Sequence, residues 1–186
     1  DEHGMCLHRF PEGILSQNLG NEGRRIRAHA SAGVVMDFYS NTDELSIRAW
    51  IHPDAARWWA FFDVYVDDQF VGYVGTEEEG ERTIDQVVKL PVNADSSDRR
   101  VRVYMPCCRE FAIQDIAISK NATFHATGPS PKGTWLFYGD SITQGMNGMH
   151  PSLSYPAVAS RLLGFDMHSA AVGGARFEMF FLDEKL

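Results

Sequence analysis

The sequence predicts an N-terminal all-β sandwich followed by the first part of an α/β domain. Two observations carry this. Apolar and polar residues alternate at period two through the first two thirds of the chain, and a strand, helix, strand order follows a Gly/Pro cluster at residues 127–133. At 186 residues, 44% hydrophobic and 12% aromatic, the chain suits one full domain and part of another. A net charge of -8, with no Lys/Arg-rich run to offset it, disfavours nucleic acid as a partner. The longest apolar runs fall far short of the roughly 20 residues a membrane span needs, so no membrane partner is expected.

Residues 1–9 read as a tail and residues 10–126 as the sandwich. Leu45, Ile47, Ala49 and Ile51 alternate with Ser46, Arg48, Trp50 and His52, giving a strand with one buried face. Phe62, Val64 and Val66 run into Asp67-Asp68-Gln69 before residues 70–74, which reads as a hairpin closed by turn-forming Asp residues. Val101, Val103 and Met105 repeat the alternation and Pro106 stops it. Little helix is expected between residues 10 and 120. Residues 127–134 form the linker, because paired prolines and glycines interrupt both strand and helix.

Residues 135–186 follow a different grammar. Residues 135–138 form a short apolar run, expected to be a parallel strand buried on both faces. Pro156 suits a first helical turn, Val158 and Leu162 lie one turn apart, as do Ala159 and Leu163, and Gly164 supplies a stop. Residues 165–172 read as a second strand and Gly173-Gly174 as the turn at its end, completing a βαβ unit.

Gly139-Asp140-Ser141-Ile142-Thr143-Gln144-Gly145 follows the first strand of that unit, where ligands bind in open α/β sheets. Ser141 is a candidate nucleophile, although a serine hydroxyl barely ionises at neutral pH and needs a general base. An isolated Gly-Asp-Ser is more often an exposed turn.

The wider text changes those odds. Residues 139–145 after an apolar strand, the helix at residues 154–164 and then residues 168–176 resemble, in order and spacing, the first two sequence blocks of the SGNH (GDSL-type) hydrolase family. Residues 63–74 and 99–118 are similar to strand pairs of the β-sandwich that precedes the catalytic domain in some carbohydrate esterases of this superfamily. The resemblance implies a jelly-roll-like sandwich before a flavodoxin-like SGNH domain, and a serine esterase acting on acetyl or other short acyl groups of a carbohydrate or small molecule. It implies Ser141 as the acyl-accepting nucleophile, with the N–H groups of Ser141 and Gly174 as oxyanion donors. Gly174 matches better than Gly173. Asp140 orients the local turn, and Arg176 could hold a substrate carboxylate, with a solvated or structural arginine the plainer reading. No metal or organic cofactor is required.

The family's oxyanion Asn, and its Asp and His three residues apart, have no match before Leu186. The chain is therefore expected to be a truncated hydrolase domain, nearly inactive alone, whose missing C-terminal part completes the site. An acyltransferase using the same serine, or a non-catalytic carbohydrate-binding sandwich, are the alternatives.

Other residues carry weaker readings. His150 and His168 are the nearest bases within the chain. Trp58 and Trp59 suit core or rim packing better than sugar stacking. Cys6 with His3 and His8 lacks a fourth ligand for zinc. Asp1-Glu2-His3 offers an amine and an imidazole to square-planar Cu(II) or Ni(II), with a disordered tail the plainer reading. Cys107-Cys108 reads as a buried pair rather than a redox device. Three cysteines in this arrangement are no disulfide framework and favour a reducing, cytoplasmic compartment, with secretion left open. Asn121-Ala122-Thr123 is read as a chance match to the glycosylation pattern.

Overall fold

The computed structural model describes residues 2–16 and 21–175, and the fold is mostly β-sheet with few helices. A four-stranded antiparallel sheet has the order β1 (Met5–Cys6), β8 (Arg109–Ile118), β3 (Glu44–Ala55), β6 (Arg82–Lys89). A five-stranded antiparallel sheet has the order β5 (Gln69–Thr76), β4 (Ala60–Val66), β7 (Arg99–Tyr104), β2 (Val35–Ser40), β9 (His125–Ala126). Both contribute to one core, in which Leu45, Ile47, Ala49, Ile51 and Phe111 meet Phe38, Phe62, Val64, Val101 and Val103. The alternation in β3 is the predicted one: the four apolar positions are fully buried. The β4–β5 hairpin turns at Asp67 and Asp68, both at positive φ, as a two-residue turn between right-twisted strands requires.

β4 is buried along its whole length, not on one face. Its outer side chains Asp63 and Tyr65 are covered by residues 150–161, which belong to the C-terminal segment. Asp63 accepts from the Ser152 N–H at 3.0 Å and pairs with His150 Nδ1 at 2.6 Å, and Arg161 stacks over Tyr65 at 4.4 Å. The two parts of the chain are thus joined by a charged and aromatic interface.

Two expectations are corrected. Residues 1–9 are not a free tail: Met5 and Cys6 pair with Ile113 and Ala112 of β8. Arg9 then runs inward, fully buried, where Nε donates to Ala30 O at 2.9 Å, Nη2 to Arg27 O at 2.8 Å and Nη1 to the carbonyls of Ser169 and Ala171. Little helix is found between residues 10 and 120, as expected: among the described residues it is confined to α1 (Glu12–Leu15) and α2 (Glu22–His29). α2 is started by the Asn21 side chain, which accepts from the Arg24 N–H at 2.9 Å.

The second correction concerns β10 (Thr134–Phe137). It pairs in parallel with β11 (Asp166–Ser169), but Trp135 and Leu136 are about half exposed, not buried. The two strands form a sheet of their own among the described residues, so no further strand flanks them. α4 (Tyr155–Leu163) starts with Pro at its N-terminus and ends at Gly164 in the left-handed region, as its sequence predicts. Its buried face is Pro156 and Ala157, against Tyr65 and Tyr104, whereas Leu162 is 80% exposed. The linker is pinned: Ser130 N donates to Asp166 at 2.7 Å and Lys132 Nζ to Leu163 O at 2.6 Å.

Candidate active site

Ser141 opens the short helix α3 (Ser141–Gln144), four residues after the last residue of β10. Gly139 must lack a side chain there, because a Cβ would sit 2.1 Å from Thr143 Oγ1. Asp140 caps α3 by accepting from the Ile142 N–H at 2.9 Å, which spends one carboxylate oxygen on the turn that presents Ser141. Gly145 closes α3 at φ 87°. The partly exposed Ser141 hydroxyl makes no hydrogen bond among the described residues.

The glycine turn lies beside this helix and is bound to it. Gln144, buried on α3, accepts from the Gly173 N–H at 2.7 Å, while its Nε2 donates to Arg27 O at 2.9 Å and Cys107 O at 3.0 Å. A Cβ at Gly173 would sit 2.2 Å from Met146 Sδ and 2.9 Å from Arg27 Cδ, so any side chain there would displace Met146 and Arg27. Gly174 adopts φ +79°, and its carbonyl accepts from Arg24 Nη2 at 2.9 Å. The Gly174 N–H donates to no described residue. Val172 N donates to Gly139 O at 3.1 Å, so the ends of the two strand-to-turn segments are directly linked.

Gln144, Arg24 and Arg27 did not stand out in the sequence. Arg27 Nη1 donates to Gly173 O at 3.0 Å, so α2 supplies two arginines to the turn. Of the two histidines, His150 is occupied by Asp63 and lies among Phe61, Phe70 and Tyr73. His168 lies on β11, where burial first and the Arg9 charge second hold its pKa below the ordinary value. Neither imidazole hydrogen-bonds to Ser141. Arg176 lies outside the described residues. Trp58 is about half exposed and packs edge-to-face on Trp59. Cys107 and Cys108 are both buried with their sulfurs 3.4 Å apart and no disulfide between them. A cavity of about 460 Å³ opens between β2, β7 and the linker, lined by Asp37, Arg100, Arg102 and Asp166 among others, away from Ser141.

No family model matches the chain, and no curated protein matches it in sequence. Solved structures do match. A salicylyl-acyltransferase from a tetracycline biosynthetic pathway superposes with a TM-score of 0.71 at 23% identity, over 89% of this chain and 46% of that one. A putative GDSL-like lipase from Bacteroides ovatus gives 0.61 at 17% identity, over 91% and 55%. A family two carbohydrate esterase from Clostridium thermocellum, solved with cellohexaose, gives 0.55 at 16%, over 76% and 45%. The chain therefore shares the fold of these solved structures over the matched residues, and it spans about half the length of the solved chains it matches.

Proposed function

We propose that this chain carries the nucleophile half of a serine acyl-transfer enzyme that cleaves short acyl esters, of a carbohydrate or another small alcohol. The division proposed is a jelly-roll-like sandwich at residues 10–126, a linker at 127–134 and the opening of a flavodoxin-like SGNH domain from residue 135. Ser141 attacks the ester carbonyl, the N–H groups of Ser141 and Gly174 receive the oxyanion, and an acyl-serine forms as the alcohol leaves. Asp140 acts on the turn rather than on a base.

The observation that carries this reading is the Gln144 brace. By taking the Gly173 N–H, Gln144 leaves the N–H of Gly174 as the next donor on a turn tied to the helix that bears Ser141. Preorganised donors beside a nucleophile are what a developing oxyanion needs.

The base is assigned outside the chain. His150 is engaged with Asp63, and the exposed apolar side chains Trp135, Leu136, Ile142 and Leu162 offer a surface for the remaining sheet and helices of a complete domain. Release of the acyl group to water gives an esterase, and release to a second alcohol gives an acyltransferase.

The test is hydrolysis of an aryl acetate, with and without an added acceptor alcohol, by the 186-residue chain and by a version extended by the residues that complete the domain. Turnover by the extended protein that disappears in Ser141→Ala, with negligible turnover by the short chain, is the expected result. Robust turnover by the short chain that Ser141→Ala abolishes would place the base within it.

A further inference from the structure

Away from Ser141, the fold gathers four donors that are scattered in sequence. Cys6 ends β1, His8 follows two residues later on the same side of the extended chain, and Glu110 is the second residue of β8, the strand that pairs with β1. One donor atom from each of Cys6, His8 and Glu110 lies within 4.8 Å of the others. His29, the last residue of α2, joins them: its Nδ1 is 3.5 Å from Glu110 Oε1, and its ring meets that of His8 edge-on at 5.4 Å. The His29 Nδ1 atom is buried and makes no hydrogen bond among the described residues.

We propose that Cys6, His8, His29 and Glu110 form a binding site for a divalent borderline metal ion, zinc above all. The donor set is the mixture of thiolate, imidazole and carboxylate that zinc accepts in tetrahedral geometry. With metal–donor bonds of about 2.0–2.3 Å, tetrahedral donors stand roughly 3.4 Å apart. The His29–Glu110 separation already has that length, and rotation of the exposed His8 closes the wider gaps. A thiolate and a carboxylate together neutralise the two positive charges of the ion. Binding would displace the Cys6 thiol proton to solvent and leave the oxidation state of metal and sulfur unchanged.

The site joins the N-terminal strand, β8 and the C-terminal end of α2. Since α2 also carries Arg24 and Arg27, which hold the Gly173–Gly174 carbonyls, the ion would brace the glycine turn from behind. Of the four donors only Cys6 and His8 are near each other in sequence, so local text does not reveal the set. The other two ligands arrive from residues 29 and 110.

The test is titration of the full chain with Co(II), followed by displacement with Zn(II). One equivalent of Co(II) is expected to give a thiolate-to-cobalt charge-transfer band and the visible bands of a tetrahedral ion, and zinc should raise the thermal midpoint. Cys6→Ser should abolish the charge-transfer band, and His29→Gln should weaken cobalt affinity at least about tenfold, since losing even a group that only orients a ligand costs about 10–100-fold. Cys107→Ser/Cys108→Ser serves as the control and should retain the band. Absence of the band, or a band that survives Cys6→Ser and vanishes in the Cys107/Cys108 variant, would overturn the assignment. Cys6 lies at a strand end and is partly exposed, so its serine variant should fold.

Discussion

Gln144 is 1% exposed, and its amide spans three segments: the backbone of α2 at Arg27, the β7–β8 loop at Cys107 and the glycine turn at Gly173. Truncation would leave the Gly173 N–H and the Cys107 carbonyl without the amide, while the Arg27 carbonyl keeps its bond from Arg9 Nη2, and unsatisfied buried groups cost about 1–3 kcal/mol each before relaxation or entry of water. Gln144→Ala is therefore expected to destabilise the chain by roughly 2–4 kcal/mol, read from the urea midpoint. A loss well under 1 kcal/mol would mean that water replaces the amide, and the turn would then not depend on Gln144. Asp63 plays the corresponding part at the junction between the five-stranded sheet and the C-terminal segment, where one buried carboxylate serves both His150 and the Ser152 N–H.

At the scale of elements, legibility in sequence follows how each one is buried. β3 was legible because a single face enters the core and its four apolar residues fall on that face. α2 was not. It buries only Ala28, so no apolar period marks it, and its packing is done by arginine side chains bonded to backbone carbonyls 146 and 150 residues away. Its one local signal was Asn21 ahead of Glu22, with Arg27 and His29 in the last turn. Asn21→Ala should lower stability by about 1 kcal/mol and Asn21→Gly by only a few tenths, because glycine is tolerated at a cap. Equal losses from the two would remove the cap as the cause. The Ser141 loop was legible because its Gly, Asp and Ser are contiguous and follow a strand. Gln144 lies in the same run, but its role depends on Arg27, Cys107 and Gly173, contacts that local text does not encode.

For the whole molecule, the N-terminal arm ties the sheets to the C-terminal segment through Arg9, whose guanidinium bonds to carbonyls on both sides of that junction. Burial lowers the Arg9 pKa to about 9, which leaves it charged at neutral pH. His168 sits near this charge with Nε2 buried and unpartnered among the described residues, and burial followed by the Arg9 charge holds its pKa below 6.5. Above pH 6.5 the imidazole is neutral in both folded and unfolded chains, so its full contribution to stability is present. Between 6.5 and the lower folded value, the unfolded chain binds a proton that the folded chain refuses, so stability falls as pH falls. The exposed carboxylates Glu22, Asp43 and Asp95, each held below its ordinary value by hydrogen bonds to neighbouring side chains, act in a separate and more acidic window, where solvent screening weakens their effect. Denaturation curves above and below pH 6.5 should therefore show a loss of stability on acidification that is shallower in His168→Gln, a side chain of similar reach that does not titrate. Parallel losses in the two proteins would mean that His168 does not contribute, and the mild-acid sensitivity of the junction would have to come from another group.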